Sequence, residues 1–310
     1  MLGLILSGCA FISLDAHDAR KAGLCTDAAA CEELTAASDT GALTCPASGD
    51  WLQVGLGEDH SCGLRAGGGI VCFGDDGSGK LDVPDDCYVA LDVGQDHACA
   101  LTHEGRVRCW GDDTHGQLDV PAGGGWTWVG AGRDFSCAGD GQGATACWGI
   151  GDKDQLAAPT AALERGTSGG FHSCGLDVDG EAACWGLDNY DQLAPDAGPF
   201  TDLSAGGHHT CGLAADGLVH CWGGNQAGQT QAPAVLYAQI SAGWETTCAT
   251  TPGGALQCWG AQGSHGHGIP PDIGTWQWIA VGEKHSCALD DSGVLTCWGY
   301  DWFGQTHPPD

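Results

Sequence analysis

The sequence predicts an all-β fold, a seven-bladed β-propeller with one intra-blade disulfide per blade, on three observations. Cysteine pairs ten residues apart recur seven times, at 62/72, 99/109, 137/147, 174/184, 211/221, 248/258 and 287/297, and their first members are separated by 37, 38, 37, 37, 37 and 39 residues. A period in this range marks a stacked or ring-shaped repeat architecture. Each unit also breaks into short strand-like runs between Gly-rich turns: in "YVALDVGQDHACALTHEGRVRCWGDDTHGQLDVP" (88–121), Tyr88–Val93, Ala98–Leu101, Val107–Trp110 and Gln117–Val120 read as four strands. Finally, no capping repeat is visible, which an open solenoid would need and a closed ring would not.

Taken in order, the chain divides into three parts. Residues 1–9, "MLGLILSGC", end an apolar run in Leu6-Ser7-Gly8-Cys9, which resembles the lipobox of bacterial lipoproteins, where the peptide before the cysteine is removed and Cys9 is lipidated. The run is short and lacks a basic n-region, so the expectation includes an earlier start codon. Residues 10–50 are rich in Ala, Asp, Ser and Thr and read as a tether. Residues 51–310 carry the repeats.

Within a unit, the turn at Thr102–Gly105 has equivalents in "DVDG" (177–180), "AADG" (214–217) and "DDSG" (290–293). A hairpin centred there sets Cys99 opposite Cys109, at a separation a disulfide bridges. The spacing thus predicts seven staples: Cys62–Cys72, Cys99–Cys109, Cys137–Cys147, Cys174–Cys184, Cys211–Cys221, Cys248–Cys258 and Cys287–Cys297. With Cys9 assigned to lipid, Cys25, Cys31, Cys45 and Cys87 pair in one of three ways. Cys25–Cys31 as a local loop with Cys45–Cys87 as a tie between adjacent blades is the favoured arrangement.

Nineteen cysteines beside ten Lys and Arg fit an oxidising compartment rather than a reducing cytosol. A formal net charge of −30 argues against nucleic acid, whose binding needs a basic footprint, and would suit a basic partner. Apart from the lipid anchor nothing points to the membrane, because no other stretch approaches the length of a spanning helix. The chain is expected to be an exported monomer, an outer-membrane or surface lipoprotein of a bacterial envelope.

The pattern W-x-x-V-x-x-G-x-x-H-[ST]-C-x-L-x-x-x-G-x-V-x-C-W-G-x-x-x-x-G-Q-L closely resembles the regulator-of-chromosome-condensation repeat. "CALTHEGRVRCWGDDTHGQL" (99–118), "HTCGLAADGLVHCWGGNQAGQT" (209–230) and "HSCALDDSGVLTCWGYDWFGQT" (285–306) match it best. The resemblance covers residues 51–310 and implies a seven-bladed propeller, in agreement with the count of cysteine pairs. Units 1, 3 and 6 depart from it: Phe73 replaces Trp, Phe135 and Thr246 replace His, and "GSHGHG" (263–268) replaces the Gly-Gln element.

His60, His97, His172, His209 and His285 each precede the first cysteine of their unit by two residues. One histidine per blade at a fixed position keeps the rings apart, whereas zinc needs about four converging ligands. The resemblance implies a scaffold role, with the ring bonded to neighbouring backbone. The "DVDG" and "GDDG" (74–77) turns lack the twelve-residue calcium loop and its terminal Glu. No GxSxG, HExxH or phosphate-binding loop occurs, so neither a metal nor a cofactor nor enzymatic catalysis is expected.

With strands lettered a to d in each unit, the a–b and c–d loops share one face and the b–c hairpins the other. The frame of a glycine followed five residues later by cysteine is constant, but the pair after the glycine changes from unit to unit: Glu58-Asp59, Gln95-Asp96, Arg133-Asp134, Gly170-Phe171, Gly207-His208, Trp244-Glu245 and Glu283-Lys284. Variable loops on a constant scaffold are where rigid folds bind. The expected binding residues are Asp59, Asp96, Asp112, Asp134, Phe171, Tyr190, His208, Trp244, Glu245, Lys284, Trp302 and Phe303, with the aromatics as anchors and the acids as steering charge. The function expected is that of a non-enzymatic protein-binding propeller tethered at a bacterial envelope. Carbohydrate binding is the alternative, followed by an unrecognised hydrolase.

Overall fold

The structure is a computed structural model that describes residues 45–195, 197–263, 266–271 and 274–309. Cys9, the tether up to residue 44 and the expected Cys25–Cys31 loop lie outside the described residues.

Seven antiparallel sheets, each of three consecutive strands, form the blades. Blade 1 is built from strand a, Trp51–Leu56, strand b, His60–Arg65, and strand c, Ile70–Gly74. The same pattern recurs at 88–111, 128–149, 165–186, 200–223, 239–260 and 276–299. Strands a surround a central channel. Among the described residues no helix is long and apolar enough to cross a membrane.

The fourth strand expected at Gln117–Val120 is a correction: the segment is a turn followed by irregular chain. Its polar groups are committed elsewhere. The Gln117 carbonyl accepts the Trp148 indole N–H at 2.8 Å and the Ser136 hydroxyl at 3.1 Å, both from blade 3. A carbonyl held by two side chains of the next blade is not free to join a ladder.

All seven hairpin cysteine pairs are directly opposed in register and bonded, with Cα separations of 4.0 to 4.1 Å. Each staple closes a short loop and nominally contributes about 2–3 kcal/mol by restricting the unfolded chain. Cys45 and Cys87, just before strands a of blades 1 and 2, form an eighth bond.

The apolar core lies between blades. Trp110 and Leu91 of blade 2 pack on Leu64 and Ile70 of blade 1, and Trp148 and Val129 of blade 3 pack on Leu101 and Val107 of blade 2. The indole N–H of the Cys-Trp-Gly tryptophan then reaches back to the preceding blade's loop: Trp110 to Lys80, Trp222 to Gln192, Trp259 to Gln229 and Trp298 to His267, each at 2.9 to 3.0 Å from the carbonyl.

The histidines do not bond backbone, which corrects the role implied by the resemblance. Each Nε2 meets the hydroxyl that precedes the first cysteine of the next blade: His97 with Ser136 at 2.8 Å, His172 with Thr210 at 2.7 Å, His209 with Thr247 at 2.8 Å and His285 with Ser61 at 2.7 Å. Ser136, Thr247 and Ser61 give their own proton to the carbonyls of Gln117, Gln229 and Gln305. The imidazole must therefore be the donor at these joints. The His-[Ser/Thr]-Cys motif is thus half of one joint and half of the next, and the His285–Ser61 bond closes the ring.

His60 is the exception. It is fully buried, yet neither ring nitrogen has a partner among the described residues, because blade 2 carries Ala98 where the other blades carry Ser or Thr.

Two outcomes follow from these joints. Burial holds His97 down to about 4 and His172, His209 and His285 down to about 3. Their neutral forms are kept in the fold, so this stability is present above the unfolded value near 6.5 and is lost as pH falls towards 3. Thermal melts between pH 7 and pH 3 should show that loss, and the double variant H172Q/H209Q should reduce its slope; an unchanged slope would contradict the assignment. Ala98→Ser supplies the missing hydroxyl under His60, with the Lys80 carbonyl as its acceptor. A recovered hydrogen bond of about 1 kcal/mol should raise the melting temperature by roughly 2–4 °C, whereas a lower melting temperature would refute the relay.

Candidate functional site

The a–b turns are two-residue turns, each closed by the frame glycine N–H donating to the carbonyl three residues on, as in Gly94 to His97 at 2.9 Å and Gly206 to His209 at 2.8 Å. The frame must be glycine for want of space. A Cβ on Gly94 would lie 2.1 Å from the Gly132 carbonyl of the next blade, on Gly169 2.1 Å from that of Gly206, and on Gly206 2.2 Å from that of Gly243. The frame glycines thus form a tight inner collar, and the pair after each glycine stands above it.

The two members of each pair differ in position. The first members, Glu58, Gln95, Arg133, Gly170, Gly207, Trp244 and Glu283, all line the mouth of the channel, a cavity of about 230 Å³. The second members lie outside that lining and meet neighbouring loops instead. Asp59 accepts from Lys284 Nζ at 3.1 Å, Asp96 from Lys80 Nζ at 2.9 Å, and Asp134 stands 3.9 Å from His115 Nδ1.

An aromatic cluster stands at the rim of the mouth on the side of blades 3 to 6, and of its rings only Trp244 belongs to the lining. Phe171 stacks on His208 with centroids 5.1 Å apart, Trp244 meets both edge-on at 5.8 Å, and Tyr190 meets His208 at 5.3 Å. The Arg133 guanidinium lies 5.5 Å from the Phe171 ring and 5.6 Å from that of Trp244. Gly170 and Gly207 make the room: a Cβ on either would come within 2.9 to 3.0 Å of the Trp244 indole. The residues at three blades are therefore fitted to one side chain. Burial lowers the His208 pKa and favours its neutral form.

The opposite side, at blades 7, 1 and 2, is charged. Lys284 Nζ binds Glu58 at 2.7 Å as well as Asp59, and despite burial these bonds raise it to about 12. Gln95 Nε2 donates to Glu58 at 2.7 Å. Lys80, nearly buried, bridges Asp75 at 2.6 Å and Asp96. Glu283 has neither an ion pair nor a hydrogen bond among the described residues.

The expected site residues thus separate. Phe171, Tyr190, His208 and Trp244 come together, with exposed Glu245 beside them in sequence. Asp59 and Lys284 pair with each other. Asp112 caps its own loop, accepting from Thr114 and from Gln117 Nε2 at 2.8 Å. Trp302 and Phe303 sit on the c–d loop of blade 7, 79% and 43% exposed, apart from the aromatic cluster. Arg133, Glu58 and Glu283 were missed, although alternation within a two-residue turn separates inward from outward members.

Asp92, on strand a of blade 2, was also missed. The equivalent positions in blades 4, 5 and 6 are Thr167, Ser204 and Ser241, whose hydroxyls accept the next blade's Ala205, Ala242 and Val281 N–H groups. Asp92 does the same with a carboxylate, accepting Ala131 N–H at 2.8 Å and its neighbour Val93 N–H at 3.0 Å. A carboxylate in a column of small residues is legible once the units are aligned on their cysteines.

Residues 88–117, 200–229 and 279–305 match the family described as the regulator of chromosome condensation (RCC1) repeat, in blades 2, 5 and 7. No curated protein matches the chain in sequence. Among solved structures, the entire ectodomain of the Physcomitrella patens receptor kinase CR4 is similar at 27% identity and a TM-score of 0.69, over 81% of this chain and 74% of that one. The CRINKLY WD40 ectodomain of the Arabidopsis thaliana receptor kinase ACR4 is similar at 24% identity and 0.69, over 85% and 100%. Yeast RCC1 (Prp20), solved bound to Kap60, shares the fold at 17% identity and a TM-score of 0.54, over 84% and 72%.

Asp92 gives the channel wall its own pH response. Although it lines the channel, burial among protein atoms pushes it up to about 7 against the pull of its two N–H donors. A raised carboxylate makes stability fall as pH climbs from about 4 through 7. Asp92→Ser, which copies blades 5 and 6, should melt higher than the parent at pH 8 by a margin that shrinks at pH 5. A lower melting temperature at pH 8 would show that the carboxylate is needed.

Proposed function

Since the chain is a seven-bladed propeller whose blades 2, 5 and 7 match the regulator of chromosome condensation repeat, we propose that it is a non-enzymatic binding protein that holds a protein partner on the face carrying the a–b and c–d loops. The observation that supports this reading is the fit of Gly170 and Gly207 beneath Trp244, which leaves Phe171, Tyr190 and His208 grouped around it at the rim. Loops that varied without constraint would not be matched across three blades. Aromatic side chains held in one orientation are the usual anchors of protein interfaces.

The eight disulfides, and the similarity to two receptor-kinase ectodomains, support export to an oxidising compartment. Tethering through a lipidated Cys9 at a bacterial envelope is the finer form of the proposal, and the net charge of −30 suits a basic partner. A crosslinking pull-down from the native envelope should capture that partner. Trp244→Ala and Phe171→Ala should each weaken it by about thirtyfold, the effect of losing roughly 2 kcal/mol at a hot spot, and Asp291→Asn on the opposite hairpin should leave it unchanged. If Asp291→Asn abolishes capture while Trp244→Ala does not, the binding face is the other one. Binding to glycans with no captured protein would favour the carbohydrate alternative.

A further inference from the structure

Glu283 stands out among the groups at the channel mouth. It is half-buried in the lining and, among the described residues, has neither an ion pair nor a hydrogen bond, whereas Glu58 beside it is satisfied by Lys284 and Gln95. Burial, followed by the nearby Glu58 charge, pushes the Glu283 carboxyl upward against the opposing pull of the Lys284 and Arg133 charges, neither of which bonds it. On the neighbouring blade 6, the Trp244 indole is laid on the glycine backbones of blades 4 and 5, so its orientation is set before any ligand arrives. The mouth already accommodates a guanidinium against its aromatic surface, since that of Arg133 lies 5.6 Å from the Trp244 ring. The cavity, about 230 Å³, is smaller than the roughly 300–1,000 Å³ of small-molecule sites. It suits one long side chain better than a cofactor.

We infer that the channel mouth receives a single lysine or arginine side chain of the protein partner, seated between the Glu283 carboxylate and the indole of Trp244. This rests on the proposed role as a protein-binding propeller and names the chemistry of its central contact. An unpaired carboxylate and the face of a tryptophan both favour a cation, the first by charge and a hydrogen bond and the second through the ring quadrupole. The ammonium or guanidinium relieves the repulsion between Glu283 and Glu58, and its aliphatic stem covers the apolar rim. The acidic surface around the mouth draws such a group in.

The test uses the full-length chain with ¹⁵N-labelled indoles and three small probes: the Nα-acetyl methylamides of arginine, lysine and citrulline. The Trp244 indole resonance is identified by its disappearance in Trp244→Phe. The arginine and lysine probes should shift it saturably, the neutral citrulline probe should bind at least tenfold more weakly, and Glu283→Gln should weaken the cationic probes at least tenfold. Equal binding of the arginine and citrulline probes to the unaltered chain overturns the inference without reference to any variant. So does an absence of shift with both cations, or unchanged affinity in a Glu283→Gln protein of unaltered melting temperature. A partner that needs Trp244 while the cations do not bind removes only the cation seat. Cations that bind through Glu283 beside a partner indifferent to Trp244 keep the seat and remove the protein-binding reading.

Discussion

Blades 1 to 6 each meet the next through a glycine with no room for a side chain, and the remainder of the molecule is arranged around that contact. The α-carbon of Gly94 sits so close to the Gly132 carbonyl that even a methyl group would part the two blades, and the same holds for Gly169 with Gly206 and for Gly206 with Gly243. The collar fixes the distance between strands a. That distance in turn brings each histidine within reach of the next blade's hydroxyl, and each Cys-Trp-Gly tryptophan within reach of the preceding loop carbonyl. Glycine, histidine, hydroxyl and tryptophan are one device, repeated with local exceptions around the ring.

A scaffold fixed in this way leaves two positions per blade at liberty, and the two are not equivalent. One lines the channel mouth, where five side chains and two glycines share a small opening. The other stands outside the lining, and in blades 1 to 3 it is an acid that meets one of the few basic groups in the chain. Most of the acids on this face are therefore engaged in holding loops, as Asp96 does with Lys80 and Asp59 with Lys284. Glu283, in the channel lining, has no such bond among the described residues.

The ring, its seven units and its seven staples were legible because a ten-residue spacing with a turn at its centre admits one hairpin register. Gln117–Val120 misled because its alternation looks like a strand, and propensity carries no information about a carbonyl claimed by Trp148 and Ser136, thirty-one and nineteen residues on. That the a–b and c–d loops share a face followed from strand direction alone, but which of their aromatic residues meet did not. The distinction between inward and outward members did not, so Glu283, Glu58 and Arg133 were passed over. Nor could sequence tell that Trp302 lies apart from the other aromatics, because its position depends on which blades face one another across the channel.

The joints between blades are not of equal kind. Between blades 1 and 2, where His60 lacks its hydroxyl, the Cys45–Cys87 bond and the Lys80–Asp96 pair cross the gap. Between blades 3 and 4, Phe135 stands in place of histidine, Gly130 offers no acceptor on strand a, and the Trp185 indole N–H has no partner among the described residues. Apart from the Trp128 indole N–H, which donates to the Leu163 carbonyl at 3.0 Å, that seam is held by the apolar contacts of Phe135, Trp128, Leu163 and Trp185. Apolar association weakens on cooling, because its driving force near room temperature is entropic. Chilling would therefore loosen the ring at this one seam, beneath Arg133 and Phe171, while the polar-clamped seams stay shut.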